Sequence, residues 1–336
     1  MPRHTALVVR RALSEPLLLF AAFGAILLAT TTLVGLSVYA TSVVDAGVRR
    51  TLETVSIEDS GTVVNAPVHA GTFDKTDGAL RAQLAETYAG LPVGVTVRGQ
   101  SDSYAMPGQE RRTKPELLRF GTQQGLAEHA RLVQGAWPGT GTEVVEAAIT
   151  GVVARDTGMA VGDTFTVEGR LDKAKVRVRI VGVFELREPN SGRWAGQPLL
   201  TRGVEIGGYV THGPLMVSDR TFLNRFVAGT SATWLVVPDL RSMPRERLRP
   251  LAAEVGALQE KLRIRPGCEG CSLSTSLPDW LNQLATATLV ARSTMLVPVL
   301  QLLLLAAYAL TLTARLLADH RRTETALLRS RGAGAV

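Results

Sequence analysis

Residues 17–39 read LLLFAAFGAILLATTTLVGLSVY, and residues 295–316 read MLVPVLQLLLLAAYALTLTARL. A helix that crosses the hydrocarbon of a bilayer needs about 20 predominantly apolar residues, and each stretch supplies them. The uncharged runs are wider still: residues 16–44 and 293–314 carry no charged side chain. A cleaved signal peptide competes for the first run, with a basic front and Val38-Tyr39-Ala40 as a small-residue cleavage site. A signal's apolar region spans only about 7–15 residues, so the run is read as a span. A buried core helix competes for the second run. Arg315, followed by His320, Arg321 and Arg322, suits a stop at a membrane face better.

Working outward, the flanks hold the surplus charge. The chain has 336 residues and a formal net charge of +7. From Asp45 to Asp279, 28 basic residues face 27 acidic ones, whereas the rest of the chain carries 9 basic against 3 acidic. A nucleic-acid module gathers its basic residues on one folded face. Here they border apolar segments, at Arg3, Arg10 and Arg11 and again at Arg315, Arg321, Arg322, Arg329 and Arg331. Nucleic acid is therefore not an expected partner, and the lipid bilayer is. Basic short ends predict that both termini are cytoplasmic and the long intervening segment extracytoplasmic.

Both helices are expected to outrun the bilayer. Residues 45–53 (DAGVRRTLE) continue the first helix outward. Ser276-Leu277-Pro278-Asp279 reads as a helix start, with Ser276 as cap and the proline and acid in the first turn. Trp280, Leu281, Leu284, Thr288 and Leu289 then form a stripe leading into the second span. Pro298, inside that span, is a hinge candidate, because a proline removes a helical hydrogen bond.

The middle of the chain reads as α+β. Leu80 and Leu84 align on a helix over residues 77–88. Val93, Val95 and Val97 alternate as a strand, as do Val176, Val178 and Ile180 against Arg177 and Arg179. Residues 143–156 read as a helix closing at Gly158. Residues 164–167, 215–218 and 234–237 read as strands and 219–226 as a helix. Leu248, Leu251, Val255, Leu258 and Leu262 mark one face of a single amphipathic helix. Residues 188–213, rich in Gly and Pro with Trp194 and Tyr209, are either a mobile lip or a long surface loop with its aromatics folded under it. Cys268 and Cys271, in PGCEGC, face an oxidising space on this topology, where a disulfide is expected. A redox pair and half a zinc site share the spacing.

The sequence offers no catalytic constellation. It lacks a GxxxxGK[ST] phosphate loop, HExxH, GxSxG and a glycine-rich dinucleotide fingerprint. No enzyme activity, cofactor or metal is expected.

After the second span, Arg321-Arg322-Thr323-Glu324-Thr325-Ala326-Leu327-Leu328-Arg329-Ser330-Arg331-Gly332-Ala333 resembles the segment after the second membrane helix of FtsX-like, MacB-type ABC transporter permeases. Gln134-Gly135-Ala136-Trp137-Pro138, then Gly158 to Asp163 and Val176 to Phe184, resemble the GxWP…GxxVGD…VxVVGVF progression of that family's extracytoplasmic domain. The resemblance implies a membrane protein with two long transmembrane and stalk α-helices flanking an α+β domain. It implies a cytoplasmic N-terminus over residues 1–15 and a first helix over 16–53. The extracytoplasmic domain covers 54–275, a stalk and second helix 276–317, and an ATPase-facing segment 318–336. The implied function is that of a permease component in a mechanotransmission-type ABC system of the bacterial cell membrane. A separate cytoplasmic ATPase would drive motion of the outer domain, which acts on a protein, peptide or lipid. Arg321, Arg322, Glu324, Arg329 and Arg331 would approach the ATPase, or else serve as membrane-surface charges. Family members have at least four spans, so a second permease copy or the remaining permease helices are expected partners. The alternative is a two-span sensor or scaffold that holds an extracytoplasmic partner without an ATPase.

Overall fold

The computed structural model describes residues 16–68, 71–141, 143–194, 196–226 and 229–330. The chain divides into two compact units, one comprising Met1–Arg50 with Ala285–Val336 and the other Thr51–Leu284.

Helices dominate the first unit. Helix α1 (Pro16–Glu53) is 38 residues long, and its counterpart near the end of the chain, Leu277–Ser330, is 54. At 1.5 Å per residue they measure about 57 and 81 Å, against about 30 Å of hydrocarbon in a bilayer. Both are long and apolar enough to cross a membrane, and neither apolar window is buried. That disposes of the core-helix reading of the second run. Phe20, Leu28, Leu304 and Tyr308 are more than half exposed. Several hydroxyls inside these apolar segments bond to the carbonyls of the preceding turn. Thr30 donates to the Ile26 carbonyl, Thr32 to Leu28, Thr294 to Val290 and Thr311 to Tyr308. Such back-bonding to the preceding turn lets a hydroxyl sit in an apolar helix. The terminal helix is helical on both sides of Pro298.

The second unit is a mixed α/β sheet domain. A short helix, α2 (Ile57–Ser60), follows α1 and is capped by Ser56, whose hydroxyl accepts the Asp59 N–H. Then come β1 (Thr62–Pro67), α3 (Phe73–Thr87), β2 (Val93–Ala105), β3 (Leu117–Gln123), α4 (Leu126–His129), β4 (Ala130–Gly135), β5 (Val145–Thr150), α5 (Gly151–Thr157), β6 (Thr164–Gly169) and β7 (Lys175–Leu186). The chain continues through α6 (Pro198–Arg202), β8 (Val204–Ile206), β9 (Val210–Met216), α7 (Asp219–Arg225), β10 (Ser231–Pro238), α8 (Leu248–Gly256), α9 (Leu258–Arg263) and β11 (Ser272–Thr275) into α10 (Leu277–Ser330). Among the described residues eleven strands form one sheet, ordered β11-β1-β10-β2-β3-β9-β5-β7-β4, with β6 on β2 and β7 and β8 on β9. The β3/β9 and β5/β7 pairs are parallel; the other pairs are antiparallel.

Alternation decides which face each strand buries. Val176, Val178 and Ile180 are buried while Arg177 and Arg179 are exposed, so that strand reads in its sequence as it stands in the sheet. The main core gathers Phe120, Ile149, Val153, Ile180, Leu215 and Phe226. A second cluster holds Phe184, Trp194, Leu200 and Met216. Burying such side chains contributes roughly 1.5–3 kcal/mol each.

Three expectations are corrected. Residues 143–156 are not one helix: β5 occupies Val145–Thr150 and α5 follows. Flanked by β7 and β9, β5 buries Val145, Ala147, Ala148, Ile149 and Thr150. A strand covered on both faces shows no alternation to read. The stripe from Leu248 to Leu262 is two helices that meet at Ala257. Finally, Ser276 stands just before α10 and its carbonyl accepts the Trp280 N–H, but its hydroxyl turns to another element instead of the helix's first turn. Its hydroxyl donates to the Glu58 carbonyl at 2.9 Å, and the Leu277 N–H goes to the Thr275 hydroxyl.

Candidate functional site

The chain enters and leaves the sheet domain on adjacent strands. β1 pairs with β11 antiparallel, with Thr62 opposite Thr275 and Val64 opposite Leu273. Strand β1 follows α1 and α2; β11 runs directly into α10. Residues more than 200 positions apart thus join the strand that follows α1 and α2 to the strand that runs into α10.

A relay of hydroxyls ties that strand pair together. The Tyr88 hydroxyl lies 2.9 Å from Thr62 Oγ1, Thr62 donates to Thr275 Oγ1 at 3.0 Å, and Thr275 donates to the Gly61 carbonyl at 3.1 Å. Thr62 is fully buried and Tyr88 nearly so. Burial pushes the Tyr88 hydroxyl above its ordinary value, and the Thr62 bond partly offsets this, so it stays protonated and able to donate. Leu52, Leu277 and Leu281 are buried beside these positions in the sequence. The arrangement ties β1 to β11 and to the loop before α10. It carries no nucleophile, base or metal-ligand set.

The residues singled out from the sequence fall in separate places. Cys268 and Cys271 form a disulfide, with Cys268 buried. It pins the turn between α9 and β11, where the Gln259 side chain also bonds the Leu273 N–H at 2.7 Å. Arg321, Arg322, Glu324 and Arg329 lie on the helical backbone of α10, but their side chains, and Arg331 altogether, lie outside the described residues. So does His69. Among the described residues no three His, Cys, Asp or Glu side chains cluster as a metal site. In the 188–213 segment, Trp194 is buried and donates its indole N–H to the Glu188 carbonyl at 2.8 Å; this aromatic is folded under.

Sequence reasoning missed the strand pair because its parts look ordinary. Thr62, Tyr88 and Thr275 carry no motif and are joined only by strand pairing.

No family model matches the chain, and no curated protein matches it. Among solved structures, the chain is similar to a domain of a protein described as a permease, from Porphyromonas gingivalis. The identity is 14%, over 65% of this chain and 91% of that one, at a TM-score of 0.30. A score that low does not establish a shared fold.

Proposed function

We propose that this chain is a permease component of a mechanotransmission-type ABC system in the bacterial cell membrane. Its two apolar helices cross the bilayer, both termini lie in the cytoplasm, and the sheet domain stands outside. The observation that carries the reading is the strand pairing at the sheet edge: β1, which follows α1 and α2, pairs with β11, which runs into α10, and a hydroxyl relay ties the two strands together. A displacement of either helix then acts on the whole sheet rather than on a loose linker. The exposed apolar surface of both helices supports a lipid environment, since patches of this size are not left in water. The resemblance of residues 321–333 to the FtsX-like, MacB-type segment supplies the ATPase partner and the family-specific reading. Pro298 is the hinge of the second span on this account.

The test is co-purification in mild detergent from the native host. An ATPase subunit with a phosphate loop should accompany the chain. Exchange of Arg329 and Arg331 for Glu should lower that association while membrane insertion persists. If no ATPase is retained, the two-span sensor or scaffold takes its place. Tags on both termini should resist protease in intact cells; digestion of either overturns the topology.

A further inference from the structure

Helix α2 (Ile57–Ser60) is a single turn held from two sides. A helix this short has no stability of its own in water, because nucleation fixes several dihedrals for one hydrogen bond. The turn is closed by the Ser60 N–H on the Ser56 carbonyl at 3.0 Å and the Gly61 N–H on the Ile57 carbonyl at 2.7 Å. It supplies no donor for its last carbonyls, those of Glu58 and Asp59. Ser276, the residue before α10, meets them from one side. Its hydroxyl donates to the Glu58 carbonyl at 2.9 Å and reaches that of Asp59 at 3.5 Å.

From the other side comes a strap of chain, residues 188–194, that follows β7. Its Gly192 lies against Ile57: a Cβ built on Gly192 would stand 3.3 Å from the Ile57 Cβ, so a side chain there would press the two apart. Two residues on, Trp194 anchors the strap. It is buried in the second core cluster with Phe184, Leu200 and Met216. Its indole N–H donates to the Glu188 carbonyl at 2.8 Å, which also accepts the Ser191 N–H at 3.1 Å, and the Trp194 N–H donates to the Ser191 carbonyl at 3.0 Å. The strap is thus a closed loop with its anchor in the core and Gly192 on α2.

Ser276 grips the backbone of α2, whereas the strap packs on the Ile57 side chain, so the two contacts do not compete. Each needs the same turn to be ordered. Whichever is made first removes the ordering cost for the other. We propose that α2 is a conformational coupler: the Ser276 bond and the Gly192 contact stabilise one another through it, and loosening at the start of α10 loosens the strap around Trp194. This route is separate from the relay through Thr62 and Thr275. It lies wholly within the sheet domain and does not depend on the membrane or ATPase reading.

The test is hydrogen–deuterium exchange of the full-length chain in detergent micelles, read by mass spectrometry on peptides covering residues 57–61 and 188–194. Ser276→Ala removes one hydroxyl, whose acceptors both lie on α2. It should speed exchange in 188–194 by about two- to tenfold, the factor that one lost hydrogen bond supplies, with β5 and β7 unchanged. Coupling is reciprocal, so Trp194→Phe, which keeps an aromatic ring in the cluster and removes the indole N–H, should speed exchange in 57–61. The proposal is overturned if Ser276→Ala leaves 188–194 at the parent's rate, or if Trp194→Phe leaves 57–61 at it. A rise spread evenly over the sheet domain in either variant also overturns it, since that is global destabilisation rather than coupling. None of these outcomes bears on ATPase co-purification, so the two readings fail separately.

Discussion

Thr62 and Thr275 stand opposite one another in the β1/β11 pair, and the Thr62 hydroxyl donates to the Thr275 hydroxyl at 3.0 Å. The contact joins the first strand of the sheet domain to its last. It also engages the start of α10, through the Leu277 N–H on Thr275, and the Gly61 carbonyl at the end of α2. Thr275→Val keeps the shape and removes the hydroxyl, so it should destabilise the sheet domain by about 1–3 kcal/mol. Thr62→Val should cost a similar amount by stranding the Tyr88 hydroxyl. The double variant should lose less than the sum, because both act on one relay. Urea denaturation of the three variants checks this; strict additivity would argue against a relay.

Gly135 and Gly182 are cross-strand partners between β4 and β7. Gly135 has φ +78°, and a Cβ there would collide with the Val181 carbonyl oxygen; one on Gly182 would collide with that of Ala136. The strands approach so closely only because both side chains are absent. Gly135→Ala is expected to cost about 2 kcal/mol or more, from the left-handed backbone and the clash together. A thermal melt that matches the parent would contradict the close approach.

The Cys268–Cys271 bridge closes a very short loop. Loop-closure entropy then limits its contribution to about 2 kcal/mol. Exchanging both cysteines for Ser should lower thermal stability by that order and leave partner retention unchanged. Loss of partner retention in a variant that still folds would point to a redox role instead.

Glu146 accepts the Gly139 N–H at 2.9 Å and pairs with Arg179. These contacts, the backbone bond foremost, hold its carboxyl below the usual glutamate value. Its contribution to stability is therefore complete above the unfolded value of about 4.3 and disappears as pH falls through the lower folded value. The site is partly exposed, so the effect is small. Glu146→Gln should flatten the acid side of the stability–pH curve and leave its neutral side nearly level. An unchanged acid slope would count against the assignment.

The terminal runs were legible because lipid-compatible helices must be apolar all round for about 20 residues, a signal no tertiary context can hide. Val176 to Ile180 was legible because that strand has one buried and one exposed face. The helix at Leu248 was legible in its stripe but not in its break at Ala257, because the apolar spacing runs on through Leu258 and Leu262 and hides the stop that Gly256 marks. β5 was not legible, because burial on both faces erases the period. The polar row across the sheet was equally hidden: Asn65, Thr233, Arg98 and Gln123 come from four strands, and each alone resembles an ordinary surface residue.

Sequence by itself determined the elements whose pattern is local: two long apolar helices, the half-exposed strands, and the charge gathered at the flanks. Tertiary structure alone decided that β1 meets β11, and that Asn65, Thr233, Arg98 and Gln123 align in one polar row across four strands. The reason is the range of the forces that specify each. Helical and strand periodicity follow from side chains a few positions apart, whereas strand order and buried polar partners follow from pairings across hundreds of residues, which only the folded sheet brings together.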